Sequence, residues 1–97
     1  MKKEELFYID EDKSCAVLLG YIMPLTKSEF RILKLISVNS GYTSCGSIME
    51  NLFSGKAITD RNVSVHVCMI NSKARKISGR NLIEGKRFKG YKIVDKI

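Results

Sequence analysis

Apolar residues fall first into short runs and then into longer stretches with helical spacing. Leu6-Phe7-Tyr8-Ile9 is apolar, and Asp10-Glu11-Asp12-Lys13 after it is a polar turn. Cys15-Ala16-Val17-Leu18-Leu19 follows, is broken by Gly20, and gives way to Tyr21-Ile22-Met23. Short apolar runs punctuated by turn residues predict a small antiparallel sheet over residues 1–25. The pattern then changes period. Thr26-Lys27-Ser28-Glu29 has the form of a capping box, in which the Thr26 hydroxyl accepts from the Glu29 amide and the Glu29 carboxylate accepts from the Thr26 amide. Leu25 and Phe30 occupy hydrophobic-staple positions. Phe30, Leu33 and Ile36, flanked by Ile32 and Leu35, give this first helix a broad apolar face, and Gly41 is placed to end it in a left-handed cap.

A second, shorter helix is expected from Ser44 as N-cap to about Phe53, with Ile48, Met49, Leu52 and Phe53 on its buried side and Gly46 weakening it. Ser54-Gly55-Lys56 reads as a loop. The third helix is the most informative. Val63, Val67, Ile70, Ala74 and Ile77 fall within about 80° of arc, a narrow core stripe. Thr59 or Asp60 can cap its start. Its opposite face holds Arg61, Val65, Cys68, Met69, Ser72, Arg75 and Lys76, so soft apolar residues point away from the core inside a ring of cations. After Ser78-Gly79-Arg80 the chain reads as a hairpin over 81–95, with Leu82-Ile83 in one arm and Tyr91-Lys92-Ile93-Val94 in the other. Its tip is Lys86-Arg87-Phe88-Lys89-Gly90. The fold class is therefore α+β, a winged helix-turn-helix: a sheet over 1–25, three helices over 26–77 with the third at about 60–77, and a basic hairpin.

Composition narrows the function. A chain of 97 residues is long enough for one modest core, so residues 1–97 are read as one domain. It carries 17 Lys+Arg against 10 Asp+Glu, net +7. That charge is uneven: residues 1–55 are net −1 and residues 56–97 are net +8. Such asymmetry is the electrostatic footprint of a nucleic-acid binder, although a solvated basic face is the plainer reading of charge alone. An anionic membrane surface fits less well, because Gly79, Gly85 and Gly90 interrupt the basic residues. There is no apolar run of membrane-spanning length and no apolar segment behind the first charges to suggest a signal peptide. Cys15, Cys45 and Cys68 are an odd count without a C-x-x-C pair, which fits reduced thiols.

Three motifs in order carry a family resemblance. Leu25-Thr26-x-x-Glu29-Phe30-x-x-Leu33-x-x-Ile36 is similar to an L-T-x-x-E-x-x-L-L motif. Arg61-Asn62-Val63-Ser64-Val65-His66-Val67, with Ile70 three further on, is similar to R-x-V-D-V-H-I-x-x-L. Ile83-Glu84-Gly85-Lys86-Arg87-Phe88-Lys89-Gly90-Tyr91 is similar to I-x-T-V-R-G-x-G-Y. Over nearly its whole length the chain resembles the OmpR/PhoB-type winged-helix DNA-binding domains of bacterial response regulators, with the related ToxR-like cytoplasmic domains. The resemblance implies a four-stranded N-terminal sheet, a recognition helix in the major groove of double-stranded DNA and a wing over the adjacent minor groove. It implies that Arg61 holds a phosphate, that Ser64 and Val65 face bases, and that His66 lies near the backbone. Arg87 would enter the minor groove and Tyr91 would contact a phosphate. Cys68, Met69, Ser72, Arg75, Lys76, Arg80, Lys86 and Lys89 complete the expected DNA surface. The loop Ser54, Gly55, Lys56, Ala57, Ile58, Thr59 matches the segment that in the family can contact RNA polymerase. A homodimer on tandem half-sites would be typical.

The chain also departs from the pattern. Cys68, Met69 and Asn71 stand where the family commonly has arginines, so bidentate guanine readout is missing from the helix centre. Ser64 replaces an aspartate and Phe88 replaces a wing glycine. No receiver domain is expected, which makes the chain either a stand-alone bacterial cytoplasmic regulator or the cytoplasmic domain of a longer one. The runner-up function is a winged-helix adaptor that binds a protein through Val65, Cys68 and Met69. RNA binding is a weaker third reading, since single-strand readers stack bases on sheet aromatics. His66 and the cysteines match no zinc spacing, so no metal or cofactor is expected. A redox role for Cys68 ranks below a plain helix-surface thiol. One histidine and no Gly-rich phosphate loop argue against an enzyme.

Overall fold

The computed structural model describes residues 6–39, 41–52 and 60–95. The order is β1 (Phe7–Asp10), β2 (Cys15–Leu18), β3 (Tyr21–Pro24), α1 (Lys27–Val38), α2 (Cys45–Leu52), α3 (Asp60–Ser78), β4 (Ile83–Lys86) and β5 (Gly90–Ile93). The first three strands form an antiparallel sheet in the order β1-β2-β3. The acidic turn after β1 is pinned by Asp10, whose Oδ1 accepts from the Lys13 amide at 3.2 Å. Leu19 (φ 52) and Gly20 (φ 83) make the two-residue β2–β3 connection, and positive φ at both matches the strand twist. Three strands are seen among the described N-terminal residues, one fewer than the resemblance implied. Pro24 ends β3, an edge strand, where its missing N–H leaves no gap in the ladder.

The sheet buries Phe7, Ala16, Leu18 and Met23 against Ile32, Leu33 and Ile36 of α1, Ile48 of α2, and Val63, Val67, Ile70 and Ala74 of α3. The root of the hairpin adds Leu82 and Ile83 to the same cluster. The Thr26 capping box forms with both bonds, Glu29 N–H to Thr26 Oγ1 at 3.2 Å and Thr26 N–H to Glu29 Oε1 at 3.0 Å. Ser44 caps α2 by accepting from the Ser47 amide at 3.1 Å.

Two local expectations are corrected. Phe30 is only half-buried, and the inward position belongs to Glu29, which is fully buried. The reason is a partner on another element: Lys73 of α3 donates to Glu29 Oε1 at 2.5 Å. The second correction concerns the end of α1. Gly41 does not cap it; Asn39 does, in extended conformation, with its amide donating to Ile36 O at 3.3 Å. An extended exit delivers Thr43, which is buried, to the hairpin. Thr43 N–H donates to Tyr91 O at 2.7 Å and Tyr91 N–H donates to Thr43 O at 2.9 Å. The wing thus gains a third backbone partner from the α1–α2 connection.

Candidate nucleic-acid interface

The core stripe of α3 settles which way its other side points. With Val63, Val67, Ile70 and Ala74 buried, Val65 (48% exposed), Cys68 and Met69 (45% exposed) face solvent, with Lys76 exposed a turn or two on. Ser72 is half-buried. Gly79 (φ 77) ends the helix, its amide donating to Arg75 O at 2.9 Å in a left-handed cap. His66 Nδ1 lies 2.7 Å from the Asn62 carbonyl oxygen, so a proton on that nitrogen donates back along the helix. Arg61 lies in the first turn of α3, and its side chain is outside the described part. The loop 54–59 expected to meet RNA polymerase also lies outside the described residues.

The hairpin is fixed at three points, two of them on this helix. Asn71, buried on α3, accepts from the amides of Leu82 (3.0 Å) and Ile83 (2.9 Å) and donates to Ile83 O (2.9 Å). Ser64 Oγ and the Tyr91 hydroxyl are 3.0 Å apart, joining helix and β5. Gly90 (φ 109) packs so closely on the α1–α2 connection that a Cβ there would lie 2.0 Å from Thr43 O. Between α3 and the wing lies a groove of about 650 Å³, walled by Ser64, Cys68 and Arg75 on one side and Glu84, Gly85 and Tyr91 on the other. At the tip, Lys89 N–H donates to Lys86 O at 3.0 Å, and the intervening Phe88 has φ 68. Only the second central residue has positive φ, the pattern of a type II turn, which favours glycine there. Phe88 is 95% exposed.

No family model matches the chain, and no curated protein sequence does. Solved structures do. One is a streptococcal redox sensor evolved from two-component response regulators, with 18% identity and a TM-score of 0.79 over 92% of this chain. The chain spans 39% of that protein's length. The response regulator AdeR DNA-binding domain, solved with an intercistronic region, gives a TM-score of 0.74 at 20% identity, covering 96% of both chains. The RstA DNA-binding domain of Klebsiella pneumoniae, solved with its RstA box, gives 0.74 at 22% identity over 92% of this chain and 91% of that one. The fold is the winged helix that these DNA-binding domains share.

The basic residues of α3, its exit and the wing differ in whether an acidic partner holds them, as does Lys34 of α1. Lys73 is held by Glu29, Lys34 pairs with Glu11, and Lys92 lies 3.1 Å from Asp95 and 3.6 Å from Glu84. Arg75, Lys76, Arg80, Lys86, Arg87 and Lys89 are all exposed and have no ion pair among the described residues. Arg75 instead donates to the neutral Asn81 Oδ1 at 2.5 Å. Burial pushes the Glu29 carboxyl up, but the Lys73 ammonium and the Thr26 amide outweigh it and hold the group below its ordinary value. The hydrogen bond to Asp95 raises the Lys92 ammonium, which keeps its charge spent locally. The Ser64–Tyr91 link uses one of two hydroxyl protons, leaving the other to meet an anion.

The winged-helix geometry also reassigns one departure. Asn71 stands where the family it resembles commonly has arginine, yet here its side chain is a largely buried latch for the wing. Sequence reasoning missed this role, the Thr43 bridge and the Glu29–Lys73 pair, because each joins residues far apart in the chain. The glycine of Gly90-Tyr91 was the one local signal for the bridge. Among the described residues no cluster of His, Cys, Asp and Glu could hold a metal ion, and no helix is long and apolar enough to cross a membrane.

Proposed function

We propose that the chain is a transcription regulator that binds double-stranded DNA, with α3 in the major groove and the wing over the neighbouring minor groove. The observation that carries this reading is the division of charge. Among the described residues, six of the nine cations without an acidic partner cluster around the exit of α3 and along the wing, and Lys13, Lys27 and Arg31 lie elsewhere. Arg61, Arg75, Lys76, Arg80, Lys86 and Lys89 hold phosphates in this reading, Arg87 enters the minor groove, and the Ser64–Tyr91 hydroxyl pair meets a phosphate between the two. His66 lies beside the backbone. Val65, Cys68, Met69 and Ser72 supply contacts to base edges and thymine methyls in place of bidentate arginines. Readout therefore leans on shape and on the backbone. The regulator works in a bacterial cytoplasm without catalysis, as a homodimer on tandem half-sites, and contacts RNA polymerase through residues 54–59.

Selection of bound sequences from random DNA, repeated at two salt concentrations, tests the reading. Binding through roughly 4–7 phosphates gives a log–log salt slope near −0.9 per contact. Arg87→Ala is expected to weaken binding at low salt; equal affinity would count against the wing assignment. The exposure of Val65 and Met69 favours a second reading, a protein-binding adaptor. An apolar interface of that kind would respond far less to salt, since screening acts on exposed charges.

A further inference from the structure

The wing tip holds an aromatic side chain that the fold does not use. Phe88 is 95% exposed, and its backbone sits at φ 68, a conformation that bulky L-residues rarely adopt. The Arg87 guanidinium lies 5.3 Å from the centre of its ring. A strained, solvated phenylalanine contributes nothing to the core. Its surroundings suit a ligand instead. Lys86, Arg87 and Lys89 form a cationic collar around it, and the stalk beneath is braced by the Thr43–Tyr91 bridge and the Asn71 latch. An apolar tip on a rigid, basic stalk is the makeup of a side chain that enters a minor groove and parts two base pairs.

We propose that Phe88 is an intercalating wedge. Resting on the DNA-binding reading above, the inference is that the ring inserts from the minor groove between adjacent base pairs, unstacks them and bends the duplex. Lys86 and Lys89 neutralise phosphates on either side, Arg87 follows the ring into the minor groove, and the ring exchanges water for base faces. Pyrimidine–purine steps such as TA and CA/TG part most easily, so Phe88 selects for them without a hydrogen bond to any base. This provides sequence preference in a protein whose helix centre, at Cys68 and Met69, lacks the charge for guanine readout.

The experiment uses duplexes labelled at both ends, drawn from the selected sequences, and follows end-to-end energy transfer and affinity in one titration. Wild type, Phe88→Ala and Phe88→Leu are compared; the side chain is exposed, so thermal melts of the variants should stay close to wild type. Wild type is expected to bend the duplex by about 20–90°. Phe88→Leu keeps the bend, while Phe88→Ala leaves the duplex straight and binds about tenfold more weakly. Replacing the pyrimidine–purine step under the wing should reduce wild-type affinity and leave that of Phe88→Ala unchanged. A straight wild-type complex, or a Phe88→Ala complex as bent and as tight as wild type, overturns the wedge while leaving DNA binding intact. Absence of DNA binding by every variant overturns both. Phe88-dependent binding to vesicles rich in phosphatidylserine, with no DNA bend, reassigns the tip to a membrane surface and overturns the wedge.

Discussion

At the scale of single residues, Asn71 decides how firmly the wing is held. One side-chain amide satisfies two backbone N–H groups and one carbonyl at the hairpin root, all beside the buried Leu82 and Ile83. Truncation strands those groups, so Asn71→Ala is expected to lower unfolding free energy by about 2 kcal/mol. Urea denaturation measures it, and hydrogen exchange at the Leu82 and Ile83 amides should accelerate more than exchange in α1. A loss no larger than that of an exposed surface substitution would remove the latch from the account. Phe88 is the opposite case. Its positive φ costs about 1–2 kcal/mol relative to the right-handed region, with no compensating burial. The first residue belongs to folding and the second to whatever the wing meets.

At the scale of elements, the buried Glu29 couples the start of α1 to the middle of α3. The carboxylate serves the capping box and the Lys73 ammonium with the same oxygen, Oε1, while Oε2 is buried without a hydrogen-bond partner among the described residues. Because the folded-state pKa is depressed, the pair stabilises the fold above the unfolded carboxylate value, and that contribution is lost as pH falls through the folded one. Glu29→Gln is expected to make the acid limb of the melting-temperature profile shallower below about pH 5. Superimposable acid limbs for the two proteins would show that the pair adds nothing. The wing is likewise more than a hairpin. Thr43 makes it three-stranded at Tyr91, and the close approach at Gly90 permits no side chain there.

At the scale of the whole molecule, the net charge of +7 overstates some cations and hides the placement of others. Lys92 is flanked by Asp95 and Glu84, whereas Lys86 has no acidic partner among the described residues. Lys86→Ala is therefore expected to reduce the salt slope of DNA binding by about 1, and Lys92→Ala to change it little. Equal changes for both would mean that the local pairing of Lys92 is broken on binding. Legibility follows the range of each interaction. The Thr26 capping box, the Ser44 cap and the core stripe of α3 were readable because their partners lie within a turn or two. The buried place of Glu29 was missed and Asn71 misread because their environments are set by Lys73 and by the hairpin root.

By itself the sequence determined the order of elements, the inward face of α3 and the basic bias of the last 42 residues. These depend on periodicity, caps and composition, which are local properties of the chain. Only the tertiary structure decided which cations stay unpaired, that Asn71 points inward, and that Phe88 stands alone at positive φ on a braced stalk. The Glu29–Lys73 pair, the Asn71 latch and the Thr43 brace join residues 11 to 48 apart, where no local pattern records the partner.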